Sequence, residues 1–319
     1  MTELLIANKS SGKVFEVSKS TQEITWTTDR TGGPGTLKFS VVKAGDLSFT
    51  EGDIVRLSVD GELQFYGWVF TKVKNRWGEI SVTCYDRLRY LKANASYNFV
   101  DQTAGDILRQ IAADLKIDVG EIEDTGYRIP SLRQTDQSCL DIMATAIEKT
   151  LLGTGRIYVL FDDGNGLALK APEKSNIMIG EKSLLLDYDY KTDIDTRTYN
   201  SVKLSRPNKE TGRADVFVAQ DTYTQGQWGL LQLYQSVDEG LNDAQVKARA
   251  EATLTAYDRR MKSLRVHSLG VPGLRAGQLL LMKVAGLGDI DLDQYVLLEQ
   301  VTHTWTNDVH EMDFDTIHI

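Results

Sequence analysis

Apolar and polar residues alternate most regularly between Tyr295 and Thr316, near the end of the chain. Side chains alternate faces along a strand, and Asn and Asp tolerate the left-handed backbone of a tight turn. The pattern therefore predicts a β-hairpin turning at Asn307-Asp308. That turn sets the register: Trp305 faces His310, and His303 faces Met312. Val301, His303, Trp305, His310, Met312 and Phe314 then share a core face. Thr302, Thr304, Thr306, Glu311, Asp313 and Asp315 share a wet one.

Residues 67–85 repeat the pattern. Val69, Val73 and Trp77 line up with Leu297, Val301 and Trp305 at one offset. Beyond the turn, with a small slip, Ile80, Val82 and Cys84 take the places of His310, Met312 and Phe314. Upstream of each lies a glycine turn opening a strand: Glu51-Gly52-Asp53-Ile54 in one and Ala276-Gly277-Gln278-Leu279 in the other. Two matches in the same order point to an internal duplication. Trp77 and Trp305 are expected as matched core anchors, with His303, His310 and Met312 on the same core face.

The rest of the chain divides into three. Residues 1–95 read as short strands separated by turns, with Gly32-Gly33-Pro34-Gly35 as a break and Asp60-Gly61 as a hairpin turn. A short helix over 86–92 closes them. Residues 96–183 change period. Thr103 caps a helix over 104–115, and Ser138 starts a second helix stopping near Gly153. A hairpin turns at 162–166. Residues 184–319 return to strands, with Asn242 capping one helix over 243–257. The expected fold is mainly β: two similar tube-like β-barrel or sandwich domains, 1–95 and 184–319, flanking a small α+β domain at 96–183.

Length and charge narrow the function. A chain of 319 residues exceeds one typical domain. Its formal net charge of −9 repels phosphates, which argues against sequence-specific nucleic-acid binding or a membrane surface. The two cysteines, Cys84 and Cys139, are too few for a disulfide framework. The first residues carry neither a basic segment nor a long apolar run, and no apolar stretch reaches the ~18 residues that span a bilayer. A cytoplasmic site of folding is expected.

Candidate chemistry is sparse. Asp289-x-Asp291-x-Asp293 begins like a calcium loop, but Gln294 stands where glycine is needed and Gln300 where a bidentate Glu is needed. A solvated loop or strand edge is the better reading, as it is for Asp187, Asp189, Asp193 and Asp195. His303 and His310 are diagonal neighbours within reach of one ion, yet two ligands make a poor site; a packed or hydrogen-bonded pair is expected. Cys139 opens a helix, where its thiol could gain acidity, but it lacks an evident His partner. No G-x-S-x-G elbow, phosphate loop or dinucleotide fingerprint occurs. Paired carboxylates for glycan cleavage are set by fold rather than spacing; Glu121, Glu123 and Asp124 are the candidates. No metal, cofactor or catalytic residue is predicted.

Tyr85-Asp-Arg-Leu-Arg-Tyr-Leu91, Thr103-Ala-Gly-Asp-Ile-Leu108, Pro272-Gly-Leu-Arg-Ala-Gly-Gln278 and the ending Val301-Thr-His-Thr-Trp305 with His310-Glu-Met-Asp-Phe314 occur in that order. With them the chain resembles the XkdQ-type baseplate hub proteins of contractile phage tails and tail-like bacteriocins. The resemblance covers nearly the whole chain, most specifically the ending, and least the first domain. It implies a non-enzymatic homotrimer whose six β-domains form a pseudo-six-fold ring. Such a ring joins a tail tube protein to a central spike protein, lines the channel, and neighbours a LysM-containing baseplate protein. The alternative is a tail-associated peptidoglycan-degrading enzyme.

Overall fold

The computed structural model describes residues 1–319 except 32, 44, 209–211, 238, 288–289, 308 and 318–319. The expected turn residue Asp308 and the first aspartate of the 289–293 series lie outside the described residues. By compactness the chain forms two units. The first comprises residues 1–189 and 265–316, and the second comprises residues 190–264 with 317–319.

The first unit opens with β1 (Thr2–Ala7), β2 (Val14–Glu16), β3 (Thr21–Asp29), β4 (Thr36–Val42), β5 (Ile54–Val59), β6 (Glu62–Lys74) and β7 (Glu79–Tyr85). Their turns use the residues the sequence offered: Asp60 and Gly61 both have positive φ, at +51° and +85°. Asp86 caps a 3₁₀ helix over Arg87–Lys92 by accepting from the Leu88 N–H. An insert follows: β8 (Asn94–Gln102), α1 (Ala104–Leu115), β9 (Val119–Ile122), β10 (Ile129–Ser138), α2 (Cys139–Thr154), β11 (Val159–Asp162) and β12 (Leu167–Lys170). Thr103 and Asp106 close a capping box on α1. Helix α2 ends two residues later than expected, with its C-cap at Gly155 (φ +69°) rather than at Gly153. The exposed pairs β8 and β10 were not expected, because their polar residues hide the alternation.

Next come β13 (Lys174–Gly180) and β14 (Leu185–Asp193), and the chain then enters the second unit. That unit holds β15 (Ser201–Asn208), β16 (Arg213–Gln220), α3 (Thr222–Trp228), β17 (Gln232–Ser236) and α4 (Asp243–Tyr257). Its three-stranded sheet, ordered β16-β15-β17, packs Val202 and Leu204 against Val246 and Ala250 of α4. Asn242 and Gln245 form the capping box that starts α4. The chain returns through β18 (Met261–Leu269), β19 (Leu279–Leu287), β20 (Ile290–Thr306) and β21 (Val309–Ile317).

One 13-stranded sheet joins the two ends of the chain, in the order β14-β18-β21-β20-β3-β4-β7-β6-β5-β1-β2, with β19 beside β20 and β13 beside β19. The order repeats. The path β3-β4-β7-β6-β5-β1 has the same connectivity as β14-β18-β21-β20-β19-β13. The last pairing differs, antiparallel for β1·β5 and parallel for β13·β19. Residues 1–95 and 184–319, expected as separate domains, meet across β3·β20, while residues 190–264 of the second belong to the other unit. Trp305 of β20 lies in the same core as Leu4, Leu37, Leu57 and Cys84.

Candidate assembly site

The C-terminal hairpin has the register its sequence predicts: Trp305 opposite His310 and His303 opposite Met312. Asn307 takes the left-handed conformation at φ +55°. Val301, His303, Trp305, Met312 and Phe314 are buried, with His310 half-buried at the rim. Rings stack along this face. Trp26 lies 5.2 Å from His303, and Trp305 lies 4.5 Å from His310.

The two histidines are hydrogen-bonded to each other. A carbonyl only accepts, so the 2.6 Å contact from His303 Nε2 to the Leu274 oxygen fixes the proton on Nε2. His303 Nδ1 must then accept from His310 Nε2, 2.9 Å away. Burial drives both rings toward the neutral form, His303 down to about 3 and His310 to about 4. Among the described residues no group of three or more His, Cys, Asp or Glu side chains comes together to hold a metal ion.

Trp77, expected as the partner of Trp305, is a correction: it is 73% exposed, in the turn between β6 and β7. Val73 is 62% exposed. The cause is a one-residue slip in the alignment. Just before β5, the Gly52 N–H donates to Val69 O and the Val69 N–H donates to Asp53 O. Just before β19, Gly277 and Gln278 make the same two bonds with Leu298. Val69 therefore corresponds to Leu298, not Leu297. A slip of one residue moves every side chain of a strand to the opposite face. The register break confirms the match, falling between Val69 and Thr71 in one hairpin and between Leu298 and Gln300 in the other. Beyond it, Lys72 opposite Val82 answers Val301 opposite Phe314, and Lys74 opposite Ile80 answers His303 opposite Met312.

The remaining chemical candidates are engaged in structure. Glu121 pairs with Lys170, Glu123 accepts from the Ala171 N–H, and Asp124 accepts from the Gly126 N–H. Cys139 moves opposite to expectation, because burial and the Asp114 carboxylate raise its thiol. Burial raises Cys84 too. Asp293 pairs with Lys283. Among the described residues no helix is long and apolar enough to cross a membrane.

Sequence inspection missed the clamp between the β-sheet and the insert. Arg87, 9% exposed at its side chain, grips Asp162 through Nη1 at 2.9 Å and through its own backbone N–H at 2.9 Å. Its guanidinium lies over the rings of Tyr66 and Trp68. Beside it, Asp86 accepts from the Gly35 N–H, which explains why the 32–35 break ends on glycine: a Cβ there would meet Asp86 Oδ2 at 2.5 Å. Burial and the nearby Asp162 carboxylate push Asp86 well above the usual carboxylate range.

The chain is 31% identical over 277 residues to the uncharacterised protein YqbQ of Bacillus subtilis strain 168, covering 83% of this chain and 82% of that one. It is 31% identical over 285 residues to the XkdQ protein of the PBSX phage-like element of the same bacterium, covering 85% and 86%. In fold it is similar to the 43 kDa tail protein of prophage MuSo2 from Shewanella oneidensis, with a TM-score of 0.72, 12% identity, and 99% and 98% of the two chains covered. It is also similar to an E. coli component of the type VI secretion system that itself exhibits structural similarity to the T4 tail proteins gp27 and gp5. Here the TM-score is 0.55 at 12% identity, over 94% of this chain and 74% of that one. A family model described as YqbQ-like matches residues 24–317, and the chain belongs to that family.

Proposed function

We propose that this protein is a structural hub of a contractile-tail baseplate, in a phage virion or a tail-like bacteriocin, assembled in the bacterial cytoplasm. Three copies form a closed ring. The observation that carries the reading is the repeated strand order within one continuous sheet. A chain with two like units gives a trimer six like positions, so one face matches a six-fold tail tube and the other a three-fold spike. The likeness to tail proteins and to a relative of gp27 supports the same reading. A LysM-containing baseplate protein is the further partner. The ring wall lines the passage, and the net charge of −9 keeps passing DNA from adhering.

The protein acts without catalysis and without a cofactor, since the candidate carboxylates are held by Lys170 and by backbone N–H groups. Electron microscopy of the purified chain tests the reading. Three-fold particles with a six-unit wall are expected; monomers or two-fold dimers would overturn it. Cell-wall zymography is expected to stay blank, and a cleared band would return the peptidoglycan-degrading alternative.

A further inference from the structure

Where the insert docks on the sheet, two carboxyls stand beside one guanidinium. Asp162, the last residue of β11, takes both Nη1 and the backbone N–H of Arg87. Asp86 precedes Arg87 and makes no ion pair among the described residues. Its two oxygens accept from the Gly35 N–H at 2.8 Å and the Leu88 N–H at 3.0 Å. Asp86 is 7% exposed and the Asp162 side chain 2%. Were both ionised, one negative charge would lack both water and a counter-ion, and a low-dielectric site does not hold such a charge. One of the two therefore keeps a proton in the docked structure, and Asp86, without a cation, is the one. Burial and the Asp162 carboxylate hold Asp86 well above the usual carboxylate range. Burial raises Asp162 too, but its contacts with Arg87 oppose the rise.

The other side chains facing the pair do not make up the missing charge. Asp29 of β3, Tyr66 of β6, Asp163 and Arg275 line the same cavity as Asp86 and Asp162. Asp29 accepts from Gln300 Nε2, and Asp163 accepts from the backbone N–H groups of Asn165 and Gly166. Arg275, the cation of the set, lies on the Phe161 ring and donates to Ala276 O. Asp118 stands 3.9 Å from Arg87 Nη2 and adds a third carboxylate to the same guanidinium.

We propose that the Asp86 proton locks the insert to the sheet. With the proton on, Arg87 and Asp162 balance and the insert stays docked. With it off, the surplus carboxylate charge is relieved by parting the insert from the sheet and letting water reach Asp86, while the sheet itself stays folded. A released Asp86 regains the ordinary carboxylate value of about 4, so docking takes up a proton. The open fraction therefore grows with pH, by up to ~10-fold per pH unit, until the docked Asp86 also ionises. His303 and His310 are already neutral in the folded protein above pH 6, so that range isolates Asp86.

Limited proteolysis of the full chain between pH 6 and pH 9 tests this, each rate divided by that of the same protease on an unstructured peptide. Cutting within residues 93–172 is expected to speed up ~10-fold or more in the parent, and to change less than about 2-fold in Asp86→Asn, which is neutral throughout. Carboxyl-carbon NMR of the parent, with Asp86→Asn to assign the signal, reads the proton directly. The Asp86 signal should stand at its protonated position at pH 6 and move over the same range as the cutting. A flat rate in the parent, an equal rise in Asp86→Asn, or an Asp86 signal already ionised at pH 6 would overturn the proposal.

Discussion

Two tryptophans that look alike in sequence have opposite energetics. Trp305 is 4% exposed within the sheet core, so Trp305→Ala should cost ~3–5 kcal/mol, whereas Trp77→Ala should change stability by less than about 0.5 kcal/mol. Urea midpoints of the two variants check the contrast, and equal losses would refute the face assignment. The histidine pair makes a second prediction. An unfolded chain takes up protons near the ordinary histidine value of 6.5, but the folded rings resist until about 4 and about 3. Their neutral form is thus worth most above pH 6.5, and stability falls as pH drops from there toward 4, by up to ~1.4 kcal/mol per pH unit for each ring. The raised carboxyl of Asp86 works in the reverse sense, favouring the fold at low pH and losing that advantage as pH rises. His303→Gln/His310→Gln should therefore be less stable at pH 7 yet show a flatter acid limb between pH 6.5 and 4.5, read from urea midpoints at each pH.

At the scale of elements, hairpins were the most legible part of the sequence and their mutual alignment the least. The 301–314 register followed from alternation and from one left-handed turn residue, Asn307. The slip that misplaced Trp77 is already present at Val69, which matches Leu298 by its backbone bonds, and hydrophobic spacing carries no mark of those bonds. Strands β8 and β10 were invisible because one face of each is solvated and polar residues such as Asn94, Asn98, Gln134 and Gln137 break the pattern. Helices α1 and α4 were legible through their caps, whereas α3 has only seven residues and no buried face. Of the proposed site residues, His303 and Met312 could be placed from alternation, but the Arg87–Asp162 clamp could not, since its partners are 75 positions apart. The glycine turns give a test of the repeat. Gly52 and Gly277 share a φ near +85°, at +86° and +85°, so alanine strains both by ~1–2 kcal/mol. At Gly277 the added Cβ would also meet Val159 Cγ1 at 2.5 Å, whereas Gly52 faces open space. Gly277→Ala should therefore lower the melting temperature more than Gly52→Ala; the reverse order would mean the insert does not pack as described.

For the whole molecule, the first unit is held by a sheet that passes through both ends of the chain and by the clamp that docks the insert on it. Asp162→Ala leaves a guanidinium buried without its carboxylate, which should cost ~3–5 kcal/mol. Because Arg87 leads directly from β7 and Asp162 ends β11, the loss should free the insert before the sheet. Limited proteolysis ought then to cut within residues 93–172 while the sheet persists. Simultaneous loss of both would show that insert and sheet fold as one unit.

The length of β20 has a mechanical consequence. Its 17 residues lie against β19 over their first part and against β3 over the rest, both on the side away from β21. A pull that draws the two halves apart along the strand direction loads these backbone bonds in shear, many at once, instead of unzipping them singly. Rupture under force is governed by the unfolding barrier rather than by equilibrium stability. The splice between the halves is thus built to resist a sudden pull along the strands, a demand that a thermal melt does not measure.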